Sequence, residues 1–157
     1  MNYKSIFNLL GILLALFSIS FLPPLLMTLL YGEKGGEIFL YSFLLLLFLG
    51  GAMWALTRQQ DLTLNISDGF IITTMFWVVL ACAGSIPFYF FTGLNISDAI
   101  FESVSGITTT GATTIVGLDE MPKSILIYRQ LLQWIGGMGL IVLAVAVMPA
   151  LGIGGGQ

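Results

Sequence analysis

The 157-residue chain is 57% hydrophobic and only 8% charged, with a net charge of −3. Soluble domains carry about 25% charged residues, so this composition indicates an integral membrane protein. The chain has no histidine and one cysteine, Cys82, which excludes histidine-dependent catalysis, an intrachain disulfide and a Cys/His metal site. It also has no basic patch for nucleic acid and no P-loop for a nucleotide-driven pump.

Four apolar stretches are long enough to cross about 30 Å of hydrocarbon, and we predict a transmembrane helix for each. The first follows Lys4 but is too long for the apolar region of a signal peptide, so we expect it to be retained. Pro23 and Pro24 should kink it, because proline removes a backbone donor. The four predicted spans are residues 6–30, 38–56, 69–91 and 125–151.

The pentapeptide LNISD occurs at residues 64–68 and again at 94–98, each time before an apolar segment. Asparagine and serine are favoured helix N-caps, and aspartate is favoured in the first helical turn. We therefore predict two helix starts, with Asn65 or Ser67 capping the first and Asn95 or Ser97 the second. The same letters form a glycosylation sequon, which is the less favoured interpretation.

A short helical segment, residues 97–107, runs directly into the tract TTTGATT at 108–114, which we call the Thr loop. About eleven residues are half of what a spanning helix needs. This pattern predicts a re-entrant helix that returns as an extended loop, which the membrane tolerates only where the loop is buried in protein or lines water. Such a loop offers backbone carbonyls that can replace an ion's hydration shell.

The stretches GITTTGATT at 106–114 and GLDEMPKSILIYRQLLQWIGGMG at 117–139 resemble the Trk/Ktr/HKT superfamily of potassium transporters, most closely the bacterial Trk-type uptake subunits. The resemblance implies an all-α integral membrane fold, with two preliminary helices in residues 1–60 and one helix–pore loop–helix unit in residues 61–157. Family members have four such units, so we expect this chain to be an N-terminal fragment. By analogy with the pore-loop pattern, the K⁺ ligands are the carbonyls of Thr109, Thr110, Gly111, Ala112 and Thr113.

Two charged residues have candidate roles beside this loop. Glu102 lies within the short helix, where a carboxylate is costly unless it is paired or faces water. It could attract cations, but a scaffold role with Arg129 as partner is favoured.

Gly136, Gly137 and Gly139 could let helices approach closely, with packing against the short helix preferred over a flexible gate.

The predicted function is K⁺ uptake across the bacterial inner membrane, with the N-terminus in the cytoplasm and the Thr loop facing outward. The resemblance implies three further pore units, a homodimer and a cytoplasmic nucleotide-binding regulatory subunit as partners. Channel and ion-coupled symport stay open as mechanisms. The alternatives are a short subunit of a homotetrameric cation channel and a non-conducting assembly factor. An intramembrane enzyme is not expected, since Asp98 and Asp119 fall at loop edges.

Overall fold

The computed structural model describes residues 3–58 and 66–150 of the chain. Within these residues the secondary structure is entirely helical, which confirms the predicted all-α class. The elements are α1 (Tyr3–Ser18), a 3-10 turn (Ile19–Phe21), α2 (Leu22–Tyr31), α3 (Gly36–Leu56), α4 (Ile66–Phe90), α5 (Ile96–Ile107), a 3-10 turn (Leu118–Glu120) and α6 (Lys123–Ala150).

The first predicted span is one helical stretch with a 3-10 turn in its middle, just before its proline pair. Pro23 and Pro24 lie in the first turn of α2, where the missing N–H groups cost least. The chain tightens into the 3-10 turn Ile19–Phe21 just before them. Ser20 lies in this turn and its hydroxyl donates to the Phe17 carbonyl at 2.6 Å. The predicted break therefore begins a few residues before the prolines.

Three helical stretches in the described residues are long and apolar enough to cross a membrane: Tyr3–Tyr31, Gly36–Leu56 and Ser67–Phe90. They correspond to the first three predicted spans. The fourth predicted span falls on α6, a helix of 28 residues, or about 42 Å at 1.5 Å per residue. Residue 151, its predicted end, lies outside the described residues, and the assignment of α6 as a span stays a prediction.

Helices α1 and α3 pack closely through a pair of glycines. A Cβ added to Gly11 would lie 2.6 Å from the Gly50 carbonyl oxygen, and a Cβ on Gly50 would lie 2.5 Å from that of Gly11. Small residues allow this backbone approach in membranes, where packing replaces the hydrophobic effect as the driving force between helices. The Asn8 side-chain amide also donates to the Trp54 carbonyl across this interface, at 3.2 Å.

The centre of the fold is Tyr128 on α6, which is fully buried. Its ring packs against Phe21, Phe39 and Phe88, with centroids 5.7, 5.9 and 5.4 Å away. Its hydroxyl donates to the Gly84 carbonyl at 2.7 Å, so the polar tip of the ring is satisfied. Because these partners come from both parts of the chain, the described residues of the two predicted units share one core. Their division into two units stays a prediction.

Candidate ion-binding loop

Helix α5 is the short helix that the sequence predicts before the Thr loop. It has 12 residues, Ile96–Ile107, or about 18 Å at 1.5 Å per residue, which is too short to span a bilayer. Asn95 is its N-cap, and the side-chain oxygen of Asn95 accepts the Asp98 backbone N–H at 2.8 Å. This contact decides between the two predicted caps of the second LNISD copy. The corresponding Asn65 of the first copy lies outside the described residues.

The backbone of the Thr loop turns sharply where α5 ends. Thr109 has φ 59° and Gly111 has φ 84°, both in the left-handed region. A Cβ on Gly111 would meet nothing within 4 Å, so glycine is required there by its dihedral angle rather than by crowding. Residues 108–114 are all exposed in the described chain. The residues of the loop are thus accessible, and their role as ion ligands stays a prediction.

Ser105 in the last turn of α5 makes three contacts with this loop. Its carbonyl accepts the backbone N–H groups of Thr110 at 2.9 Å and Gly111 at 3.3 Å. Its hydroxyl donates to the Ala112 carbonyl at 2.6 Å. One helical residue therefore holds three consecutive residues of the Thr loop against the end of the helix.

Glu102 lies one turn earlier on α5, and its carboxylate binds the C-terminal end of the Thr loop. Glu102 is 2% exposed. Its Oε1 accepts from the Thr113 hydroxyl at 2.6 Å, the Thr114 backbone N–H at 2.6 Å and the Thr114 hydroxyl at 3.2 Å. Its Oε2 lies 3.5 Å from Arg129 Nε on α6 and makes no hydrogen bond among the described residues. The predicted pair is thus in contact, and the same carboxylate also binds the loop.

The glycines of α6 bring that helix against the C-terminal end of α5. A Cβ on Gly136 would overlap the carbonyl of Ile107, the last residue of α5. Gly137 faces the Thr109 methyl, with an added Cβ at 3.8 Å, and Gly139 faces the Phe76 ring at 3.4 Å. The predicted packing against the short helix is confirmed at Gly136, whereas Gly139 packs on α4.

Every residue predicted as an ion ligand lies in the exposed Thr loop, and Glu102 and Arg129 lie beneath it. The sequence analysis missed Ser105 and Glu33. Glu33, in the turn before α3, accepts the backbone N–H groups of Lys123 at 2.6 Å and Ser124 at 3.2 Å. The spacing of Glu102 and Ser105 places both on one helix face, but it does not give the position of the loop that they bind.

Comparisons with known proteins give the family of this chain. The TrkH family model, described as "Cation transport protein", matches residues 35–157. Two similar proteins are the Trk system potassium uptake protein TrkH of Vibrio parahaemolyticus, 55% identical over 100% of this chain, and that of Escherichia coli K12, 47% identical over 100% of it. The chain spans 33% of the length of each.

The fold matches a solved transporter as well. The crystal structure of the potassium transporter TrkH from Vibrio parahaemolyticus superimposes with a TM-score of 0.91 at 52% identity, covering 100% of this chain and 34% of that one. The family model covers more than half of the chain and the structural match covers all of it, so the resemblance to Trk-type subunits is confirmed. This chain belongs to the TrkH family of cation transport proteins.

Proposed function

We propose that this chain supplies the first of four pore units of a bacterial K⁺ uptake transporter. In this proposal the Thr loop is one quarter of a carbonyl-lined selectivity filter. The ligands are the backbone oxygens of Thr109, Thr110, Gly111, Ala112 and Thr113. The observation that carries the proposal is an exposed, non-helical loop that two residues of α5 hold by hydrogen bonds. Ser105 binds its middle, and Glu102 binds its C-terminal end.

Electrostatics supports a cation at this position. The aligned peptide dipoles of a helix place partial negative charge at its C-terminus, and α5 ends at Ile107, immediately before the loop. Half-helix ends and unwound carbonyls coordinate monovalent cations in transporters. The carboxylate of Glu102 lies behind the loop and is committed to Arg129 and the threonines, which favours a scaffold role over direct ion capture.

One loop cannot surround an ion, so the proposal requires three further pore units to close the ring. Residues 1–60 would form a peripheral helix pair and residues 61–157 the first unit, with the N-terminus in the cytoplasm of a bacterial inner membrane. The related proteins are Trk system potassium uptake proteins. We extend to this chain the homodimer and the cytoplasmic nucleotide-binding regulatory subunit that the family resemblance implies.

The test compares two proteins in a bacterial strain that lacks its own K⁺ uptake systems. One is a full-length Trk-type transporter whose first third is residues 1–157, and the other is residues 1–157 alone. The full-length protein should restore growth at low K⁺, and the short chain should insert without selective current. A K⁺-selective current from the purified short chain, at a tetrameric mass, would favour the homotetramer. An inserted full-length protein without flux would favour an assembly factor.

A further inference from the structure

The Ser105 hydroxyl binds the Thr loop at the residue that follows Gly111. Gly111 has φ 84°, and a Cβ added there would meet nothing within 4 Å. The next carbonyl, that of Ala112, accepts from Ser105 Oγ at 2.6 Å. A single side chain thus orients the Ala112–Thr113 peptide, one residue beyond the glycine.

The remainder of the loop is held by other groups. On one side, the Ser105 carbonyl binds the Thr110 and Gly111 N–H groups, which any residue at position 105 would do. On the other side, Glu102 binds Thr113 and Thr114. Only the Ala112 carbonyl depends on the identity of residue 105. Ser105 is 5% exposed, so water cannot readily replace its hydroxyl.

We propose that Ser105 is a positioning residue that sets ion selectivity by fixing the Ala112 carbonyl. The inference rests on the proposed function of the Thr loop as a filter. Discrimination between cations depends on the number and placement of carbonyl dipoles. Without the hydroxyl, the Ala112 carbonyl loses the donor that orients it, and the filter loses a fixed dipole while the loop keeps its other anchors.

The chain offers a matched control two residues away. Ser103 lies on the same helix and is fully buried, but its hydroxyl has no hydrogen-bond partner among the described residues. Ser103→Ala therefore removes the same atom from the same helix without releasing a loop carbonyl. Any general effect of a serine-to-alanine change in α5 should appear in both variants, whereas an effect on the filter should appear only in Ser105→Ala.

The experiment measures K⁺ and Na⁺ flux in proteoliposomes of the full-length transporter carrying this segment. Ser105→Ala should lower the K⁺/Na⁺ flux ratio about three- to tenfold, the size of one lost hydrogen bond. Ser103→Ala should leave the ratio within about twofold. Ser105→Cys, a shape-matched weak donor, should give an intermediate ratio and decides the question if the alanine variant does not assemble.

Gly111→Ser, measured in parallel, separates the two proposals. If it lowers the ratio while Ser105→Ala and Ser105→Cys match the parent, the Thr loop is a filter and the role of Ser105 is refuted. If Gly111→Ser also leaves the ratio unchanged, the filter assignment fails and the Ser105 proposal fails with it.

Discussion

Glu33 caps a helix that begins ninety residues later in the chain. Its carboxylate oxygens accept the first backbone N–H groups of α6, those of Lys123 and Ser124. The residue before α6 is Pro122, which offers no side-chain acceptor, so the cap comes from the α2–α3 turn. The preliminary helices are thereby tied to the helix that follows the Thr loop.

Removing this cap should destabilise the protein without changing its ion preference. We expect Glu33→Ala to cost about 1 kcal/mol, the typical value of an N-cap, and to lower the melting temperature of the detergent-purified protein. Glu33→Gln retains one acceptor oxygen and should cost less. Glu37, an exposed acid in the first turn of α3, provides the charge-matched control Glu37→Gln. Equal melting temperatures for the Glu33 and Glu37 variants would argue against the cap.

Glu102 and Arg129 form a buried pair, so we expect the small change Glu102→Gln to lower the stability of the protein strongly. Glu102→Gln leaves one acceptor oxygen for two sets of donors, so an amide NH₂ must face either Arg129 or the Thr114 N–H. Breaking a buried ion pair typically costs about 3–5 kcal/mol, because one charge stays buried and unpaired. Thermal unfolding in detergent should show a correspondingly large loss for the single variant.

A second substitution tests whether pairing is the cause. Arg129→Met removes the charge that Glu102→Gln leaves unpaired, so the double variant should be more stable than the sum of the two single losses predicts. Strictly additive losses would show that the two side chains act independently.

The same substitution at two neighbouring glycines of α6 should change the stability of the protein by different amounts. Gly136→Ala places a methyl group on the Ile107 carbonyl and must displace the end of α5, whereas Gly137→Ala adds an ordinary contact with Thr109. We expect the first to cost about 1–3 kcal/mol, as overpacking does, and the second to be near neutral. Thermal unfolding of both variants decides this, and equal losses would contradict the packing of α6 on α5.

The proposed topology places position 59 in the cytoplasm and the 3-10 turn before α6 outside. With the exposed Cys82 replaced by alanine, Gln59→Cys should resist an impermeant thiol reagent applied to the periplasmic side of intact cells. Asp119→Cys should react with it, because Asp119 is exposed in the Leu118–Glu120 turn. Labelling of position 59 under these conditions would contradict the proposed topology and place that position on the periplasmic side.

Local signals in the sequence were sufficient for the elements around the Thr loop. The helix start in the second LNISD copy, with Asn95 as one of its two candidate caps, and the short length of α5 follow from residues adjacent in sequence. The contact of Glu102 with Arg129 could be anticipated because a charge within a membrane protein needs a partner.

The missed contacts join distant segments or depend on backbone geometry. The cap from Glu33 to Lys123 crosses 90 positions, and the crossing of α1 and α3 at Gly11 and Gly50 requires two glycines that nothing in the sequence links. The bond from Ser105 to the Ala112 carbonyl depends on where the loop turns back, and residue types do not specify that turn.

The filter assignment is tested most directly by paired glycine substitutions. Gly111 and Gly117 have similar left-handed φ values, 84° and 73°, and a Cβ at either would meet little or nothing. A serine at either position therefore introduces comparable backbone strain, of order 1–3 kcal/mol, but only Gly111 lies in the Thr loop. In the full-length transporter at equal expression, Gly111→Ser should lower the K⁺/Na⁺ uptake ratio about tenfold or more, and Gly117→Ser should leave it unchanged. Equal ratios for the two variants would mean that Gly111 is a turn residue and that the Thr loop does not select the ion.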